Sequence, residues 1–170
     1  MPEETFFSSI RGIMDWCEKT EGVSLRIRCH PRFDYQDSYR IMIHNRKKAE
    51  MIPETESMEQ SLNQASIVVF VGFFSTFLVH AAVRGIPLVV IMPGSCFGSM
   101  NQTIKSWIPH VESIEDALVL MDQLYRGIPQ KWETLNNQSL SFGKDYTSLK
   151  GDYPTISDMI WQKNIGKVKH

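Results

Sequence analysis

The chain has little excess charge of either sign, with 18 basic and 19 acidic side chains over 170 residues. A dedicated nucleic-acid binder carries a basic excess, so that class is excluded and no nucleic acid is expected as partner. Apolar runs are short. None reaches the roughly 18 residues of a membrane span, and Arg84 interrupts the most apolar region. A basic-then-apolar leader is also lacking at the N-terminus, so a cytoplasmic location is expected. Cysteine is scarce: Cys17, Cys29 and Cys96 form no CxxC pair, and their odd number reads as reduced thiols. Cysteines and histidines show no metal-ligand spacing, so no metal and no cofactor are expected. GxGxxG and GxxxxGK[ST] are missing, which disfavours a Rossmann dinucleotide fingerprint and a P-loop. No GxSxG elbow is present. No repeat or low-complexity segment divides the chain, so residues 1–170 read as one domain.

What is present centres on residues 67–92. Residues 67–71 form a β-branched and aromatic run, the pattern of a strand buried on both faces. Gly72 frees the backbone, and Ser75 or Thr76 can cap the helix that follows. Gly85 fits the position after the helix, and Pro87 stops its continuation. Residues 88–92 form a second buried strand. A helix of about ten residues between two such strands predicts a parallel, right-handed βαβ unit. Ligands of such units bind beyond the carboxyl ends of the strands, where residues 72–76 and Pro93, Gly94 and Ser95 fall.

Around this unit the spacing predicts a helix over 5–20 with a stripe of Phe6, Phe7, Ile10, Ile13, Met14 and Cys17. Thr5 is a candidate cap. A strand over 23–29 alternates Val23, Leu25, Ile27 and Cys29 with Ser24, Arg26 and Arg28. A helix over 35–48, a short strand over 49–52 and a helix opened by a Ser57–Gln60 capping box come next. Residues 107–111 suggest a short edge strand. Ser113 caps a helix ending at Arg126-Gly127, a further helix runs from 129 to about 143, and 144–153 reads as a polar loop. A terminal helix is expected over 155–163. The alternation predicts an α/β fold: a three-layer, Rossmann-like parallel sheet with helices on both faces. Its first strand is missing, because the chain opens on a helix.

Three features fall at carboxyl ends of predicted strands and so share one rim. His30-Pro31 follows the first; Pro31 biases His30 away from α geometry, and the imidazole can donate to a phosphate or sugar oxygen. Ile52-Pro53 follows the second. Gly72, Ser75 and Thr76 follow the third, where hydroxyls, helix amides and the positive dipole end suit an anion. Arg32 can neutralise a phosphate. Ordinary turns and caps explain each feature taken singly. His80 reads as a packed core or interface residue, and Glu54, Glu56 and Glu59 as a solvated loop and helix start.

Taken in order, strand–His-Pro, capped helix, strand–Gly-x-x-Ser-Thr–helix–Gly-x-Pro–strand resembles the C-terminal, donor-binding domain of GT-B glycosyltransferases. The nearest group builds bacterial capsule and lipopolysaccharide: CMP-sugar sialyltransferases and Kdo transferases, with their HP and Ser/Thr motifs, and teichoic-acid polymerases. Residues 111–118 resemble the late helix of that domain. The resemblance covers residues 5–126, and the ordered spacing of short motifs carries it. It implies that His30 meets the nucleotide phosphate or ribose, that Ser75 and Thr76 hold the phosphates, and that Ile52 and Pro53 line the base pocket. The substrate implied is a nucleotide sugar. Many UDP- and GDP-sugar enzymes of the family have a ribose-gripping Glu where this chain has His80, which leaves a CMP-sugar better placed. The family's catalytic base and acceptor site lie in an N-terminal domain, so a catalytic residue is not assigned. That domain or a partner chain is the implied partner, with a homodimer and a peripheral membrane contact left open. Two other readings remain: a non-catalytic α/β association module, and a sugar-nucleotide epimerase or similar phosphate-binding enzyme.

Overall fold

The computed structural model describes residues 3–29, 35–72, 75–92 and 109–147. Among them the chain is mixed α/β with two small parallel sheets. No helix of the described residues is long and apolar enough to cross a membrane.

Helix α1 spans Glu3–Lys19, with acids in its first turn and Lys19 in its last, as the helix dipole favours. It starts ahead of Thr5, which is therefore not its cap. The Thr5 carbonyl instead accepts the Ser8 and Ser9 hydroxyls from inside the helix. Strand β1 (Leu25–Ile27) pairs in parallel with β2 (Ala49–Met51), and helix α2 (Gln36–Ile43) lies between them in sequence. Both strands and α2 are shorter than their sequence patterns suggest. One face of this sheet is apolar: Ile27 packs with Met14 of α1 and Tyr39 of α2. The other face carries Arg26 and Glu50.

Helix α3 (Met58–Asn63) opens on the expected capping box, with the Gln60 amide donating to Ser57 Oγ at 3.1 Å and the Ser57 amide to Gln60 Oε1 at 2.8 Å. Strand β3 (Val68–Val71), helix α4 (Thr76–Val83) and strand β4 (Leu88–Ile91) form the expected parallel βαβ unit, in register from Val68 opposite Leu88 to Val71 opposite Ile91. Gly85 follows the helix at φ 70°, a backbone setting that glycine reaches at least cost. The 107–111 segment supplies a single described bridge, Val111 beside Ile91. Helix α5 (Ile114–Tyr125) is capped by Ser113, whose Oγ accepts the Asp116 amide at 3.0 Å. Helix α6 spans Pro129–Thr147, so the expected loop over 144–153 begins as helix instead. The terminal helix expected over 155–163 lies outside the described residues.

The period of two along β3 and β4 sorts the core. Val68, Leu88, Val90 and Met92 pack with Leu78, Ala81 and Ala82 of α4 and Phe142 of α6. Val89 and Ile91 pack with Ile13 and Cys17 of α1 and with Ala117, Met121 and Leu124 of α5. Strand β4 is thus buried on both faces, which is why its sequence is an unbroken apolar run, while in β3 only Val68 is buried and Val69, Phe70 and Val71 are half-buried. Ser139, fully buried in α6, locks this packing. Its hydroxyl accepts the Leu88 amide at 3.0 Å and donates to the Leu135 carbonyl at 2.8 Å.

The single continuous sheet expected from sequence is not what pairs. Strands β1 and β3 share no hydrogen bonds, and the sheet is interrupted between them.

Candidate functional site

The interruption is a cavity of about 820 Å³. It runs from the amino ends of β1 and β3 to their carboxyl ends. At the carboxyl end three strands deliver side chains to it: Arg28 and Cys29 after β1, Ile52 after β2, and Ser75 and Thr76 after β3. Its size falls in the range of small-molecule sites, about 300–1,000 Å³.

Each of these residues is placed for a local reason. Ile52 is held because its amide continues the β1–β2 ladder, donating to the Ile27 carbonyl at 2.9 Å. Gly72 ends β3 at φ 116°, a region side-chain-bearing residues rarely enter, while its amide donates to the Ile91 carbonyl at 3.1 Å. That turn releases the chain from the ladder ahead of α4. Ser75 is the helix cap: its backbone is extended, its Oγ accepts the Phe77 amide at 3.2 Å, and its carbonyl accepts the Leu78 amide at 3.0 Å. The amides of Ser75 and Thr76 have no acceptor among the described residues. Thr76 is exposed at the mouth.

Of the residues expected from sequence, Ile52, Ser75 and Thr76 are thus brought to one cavity. Gly72 shapes the turn without lining it, and Pro53 is exposed and off its wall. Pro53 instead accepts the Glu56 amide through its carbonyl. His30, Arg32, Pro93, Gly94 and Ser95 lie outside the described residues, as do Cys96, Phe73 and Phe74. His80 is exposed on α4 and off the cavity, so its reading as a packed core residue is corrected. Packing inward at that turn falls to Leu78, Val79, Ala81 and Ala82.

A charged clasp beside the cavity was not anticipated. Arg26 Nε meets Glu50 at 2.7 Å, its terminal nitrogens meet Glu56 at 2.8 and 3.1 Å, and one also donates to Gln64 at 2.7 Å. Arg28 donates to the Glu56 and Ser57 carbonyls and to Ser61 Oγ at 2.7 Å. Ser61 in turn donates to Glu56 at 2.8 Å. Arg26 and Arg28 therefore tie β1 to β2 and to the start of α3. Glu56 is a bonded partner here and not part of a solvated loop; Glu54 accepts from Gln36, and Glu59 pairs with Arg84. The 23–29 alternation already sets Arg26 and Arg28 on one face, which is the signal that could have found them.

The bonds from Arg26 and Ser61 hold the Glu56 carboxyl below its ordinary range. A carboxylate depressed on folding stabilises the fold fully above its unfolded pKa, and that contribution disappears as pH falls through the lower folded value. Thermal melts between about pH 6 and pH 3 should therefore show a falling midpoint, and Glu56→Gln should flatten that slope. An unchanged slope would remove Glu56 from the acid response.

The described thiols, Cys17 and Cys29, show no sign of activation. Burial pushes Cys17 up to about 11 and Cys29 also upward, the setting of inert thiols. The described residues hold no group of three or more His, Cys, Asp or Glu that could bind a metal.

Set against family models, curated proteins and solved structures, the chain matches none. The functional reading therefore rests on the sequence pattern and on this geometry.

Proposed function

We propose that the chain is the donor-binding domain of a GT-B-type glycosyltransferase, taking a nucleotide sugar, with a CMP-sugar favoured, for transfer to a surface glycan. The observation that carries the reading is the convergence of Arg28, Ile52, Ser75 and Thr76, from the carboxyl ends of three parallel strands, on one cavity. In this reading the two sheets are halves of one doubly wound sheet, with α1 and α5 on one side and α3, α4 and α6 on the other.

The chemistry follows from what the rim offers. The start of α4 presents amides, two hydroxyls and a positive dipole end to a phosphate. Those groups stabilise the charge that develops on the nucleotide as the glycosidic bond breaks. Ile52 supplies an apolar surface for the base. Arg28 adds positive charge at the rim while its bonds to the α3 start fix its direction. The base that activates the acceptor belongs to an N-terminal acceptor domain or a partner chain, and no metal is required. The compartment proposed is the cytoplasm, where nucleotide sugars are available.

Calorimetric titration with CMP, UDP and GDP tests this. CMP is expected to bind most tightly. Ser75→Asp is the decisive variant, because Asp is as good a helix cap as Ser but repels a phosphate. The variant should keep the melting temperature and lose at least about tenfold in CMP affinity, or about 1.4 kcal/mol. If no nucleotide binds the folded chain at millimolar concentration, or if Ser75→Asp binds CMP as the unaltered chain does, the proposal fails.

A further inference from the structure

The rim accounts for only one end of the cavity. The rest runs between β1 and β3, and its walls are main chain. In a parallel ladder alternate residues direct their N–H and C=O groups to opposite sides. Val68 and Gly72 donate to the Pro87 and Ile91 carbonyls of the neighbouring strand. The peptide groups of Val69 and Val71 therefore point away from β4, and that of Val69, which lines the cavity, faces the channel. On β1 the Leu25 amide donates to the Lys48 carbonyl and the Ile27 carbonyl accepts the Ile52 amide. The peptide group of Arg26 therefore points into the channel from the opposite wall. Arg28 meets α3 at Ser57 and Ser61 while Arg26 meets Gln64 just past its end, so α3 runs against β1 and the chain turns back into β3 in the direction of β1; the two strand edges line one space.

The surroundings of that space are those of a buried strand. Leu62, Phe70 and Phe77 line it on the side of α3 and α4, and Cys17, Met121 and Leu124 on the side of α1 and α5. Helix α1 packs against both β2 and β3, so it spans the channel and holds the two sheets in one frame. No Asp, Glu or Lys is among its described lining residues, and the side chain of Arg26 is already matched by Glu50 and Glu56. Among the described lining residues the charge without a carboxylate partner is that of Arg28, at the carboxyl-end rim; between the strands themselves an uncharged apolar occupant has two apolar faces to bury against.

We propose that the channel between β1 and β3 is a receptor for one further β-strand, an extended Val/Ile-type segment that lies parallel to both neighbours and joins the two sheets. With β1 three and β3 four residues long, an insert of about four or five residues fills it, at about 3.3 Å per residue. Buried on both faces, it reads as a continuous apolar run without Pro. Completed in this way the order becomes β2–β1–insert–β3–β4, with Val111 beyond, which is the doubly wound order with its switch point beside the insert. The inference stands on the strand edges and does not need a nucleotide: a chain that binds CMP but no strand would overturn it alone, and the reverse would overturn only the donor-site reading.

The probe is a short peptide of alternating Val and Ile with a Lys at each end, added to the full chain and followed by amide hydrogen exchange. Exchange at Arg26 and Val69 is expected to slow at least tenfold. The same peptide with alternate backbone nitrogens methylated cannot donate to an edge and should give no protection, a control that leaves the chain unaltered. On the protein side, Val69→Pro removes a donor that faces the channel and not β4, an edge position that tolerates proline; it gives up part of the packing of Val69 against α1 and α5, so it should melt somewhat lower, and it should lose the protection. Unchanged exchange, equal protection by the methylated peptide, or protection that rises with chain concentration without peptide, which assigns the channel to a second copy, would each overturn the proposal.

Discussion

Replacing Phe142 by alanine is expected to lower the stability of the chain by about 3–5 kcal/mol in equilibrium chemical denaturation. Phe142 is 1% exposed and sits where α6 meets α4 and β4, among Leu78, Ala82, Leu88 and Val90. Its removal takes a large apolar side chain from a close-packed interior and leaves a void that rigid neighbours cannot collapse into. The neighbours are unable to shift because the Leu88 amide is pinned to Ser139 one turn earlier in α6. Leu140, 39% exposed on the same helix, provides the comparison. Leu140→Ala should cost well under half as much. Equal losses at the two positions would mean that α6 is not docked as described.

Gly143→Ala is expected to destabilise the chain by about 1–3 kcal/mol, although alanine is the better helix former by about 1 kcal/mol. A Cβ on Gly143 would lie 2.9 Å from the Val83 backbone nitrogen and 3.0 Å from Ala82 Cβ. The first of these is main chain, so relief requires α4 and α6 to move apart. The same helix α4 carries Ser75 at its other end. A displaced α4 therefore also disturbs the rim, and the variant should lose CMP affinity as well as melting temperature. A Gly143→Ala chain more stable than the original would show that the two helices do not approach this closely.

Gly143 also marks where sequence reading stopped short. A glycine after a polar helix reads as an end signal, yet here it lies inside α6 and serves a close helix crossing. Thr5 and His80 were misplaced as well, but several local signals held. The Ser57–Gln60 box, the Ser113 cap and the turn at Gly85 were legible because each depends on residues within a few positions of one another, and the βαβ unit because its strand, helix and strand follow one another directly in the chain. The Arg26–Glu56 clasp joins residues thirty positions apart, and a charge pattern alone does not show which acid an arginine meets. The interruption between β1 and β3 joins no residues close in the chain, so no local signal marks it. Composition gave no hint that the gap would persist as a lined channel, since that depends on where strand edges fall once the helices have packed. Within the candidate site, Ser75, Thr76 and Ile52 were legible from strand-end position. Arg28 was visible in the alternation but carried no weight until the structure set it on the same wall.

The central claim is that the start of α4 and the ends of β1 and β2 form one nucleotide site. Titrating CMP into the isotope-labelled chain and following backbone amide shifts tests it most directly. Shifts concentrated at Cys29, Ile52, Ser75, Thr76 and Phe77, with Ala82 and Leu140 unmoved, are the predicted result. No shift at millimolar CMP, or shifts gathered away from that rim, would contradict it.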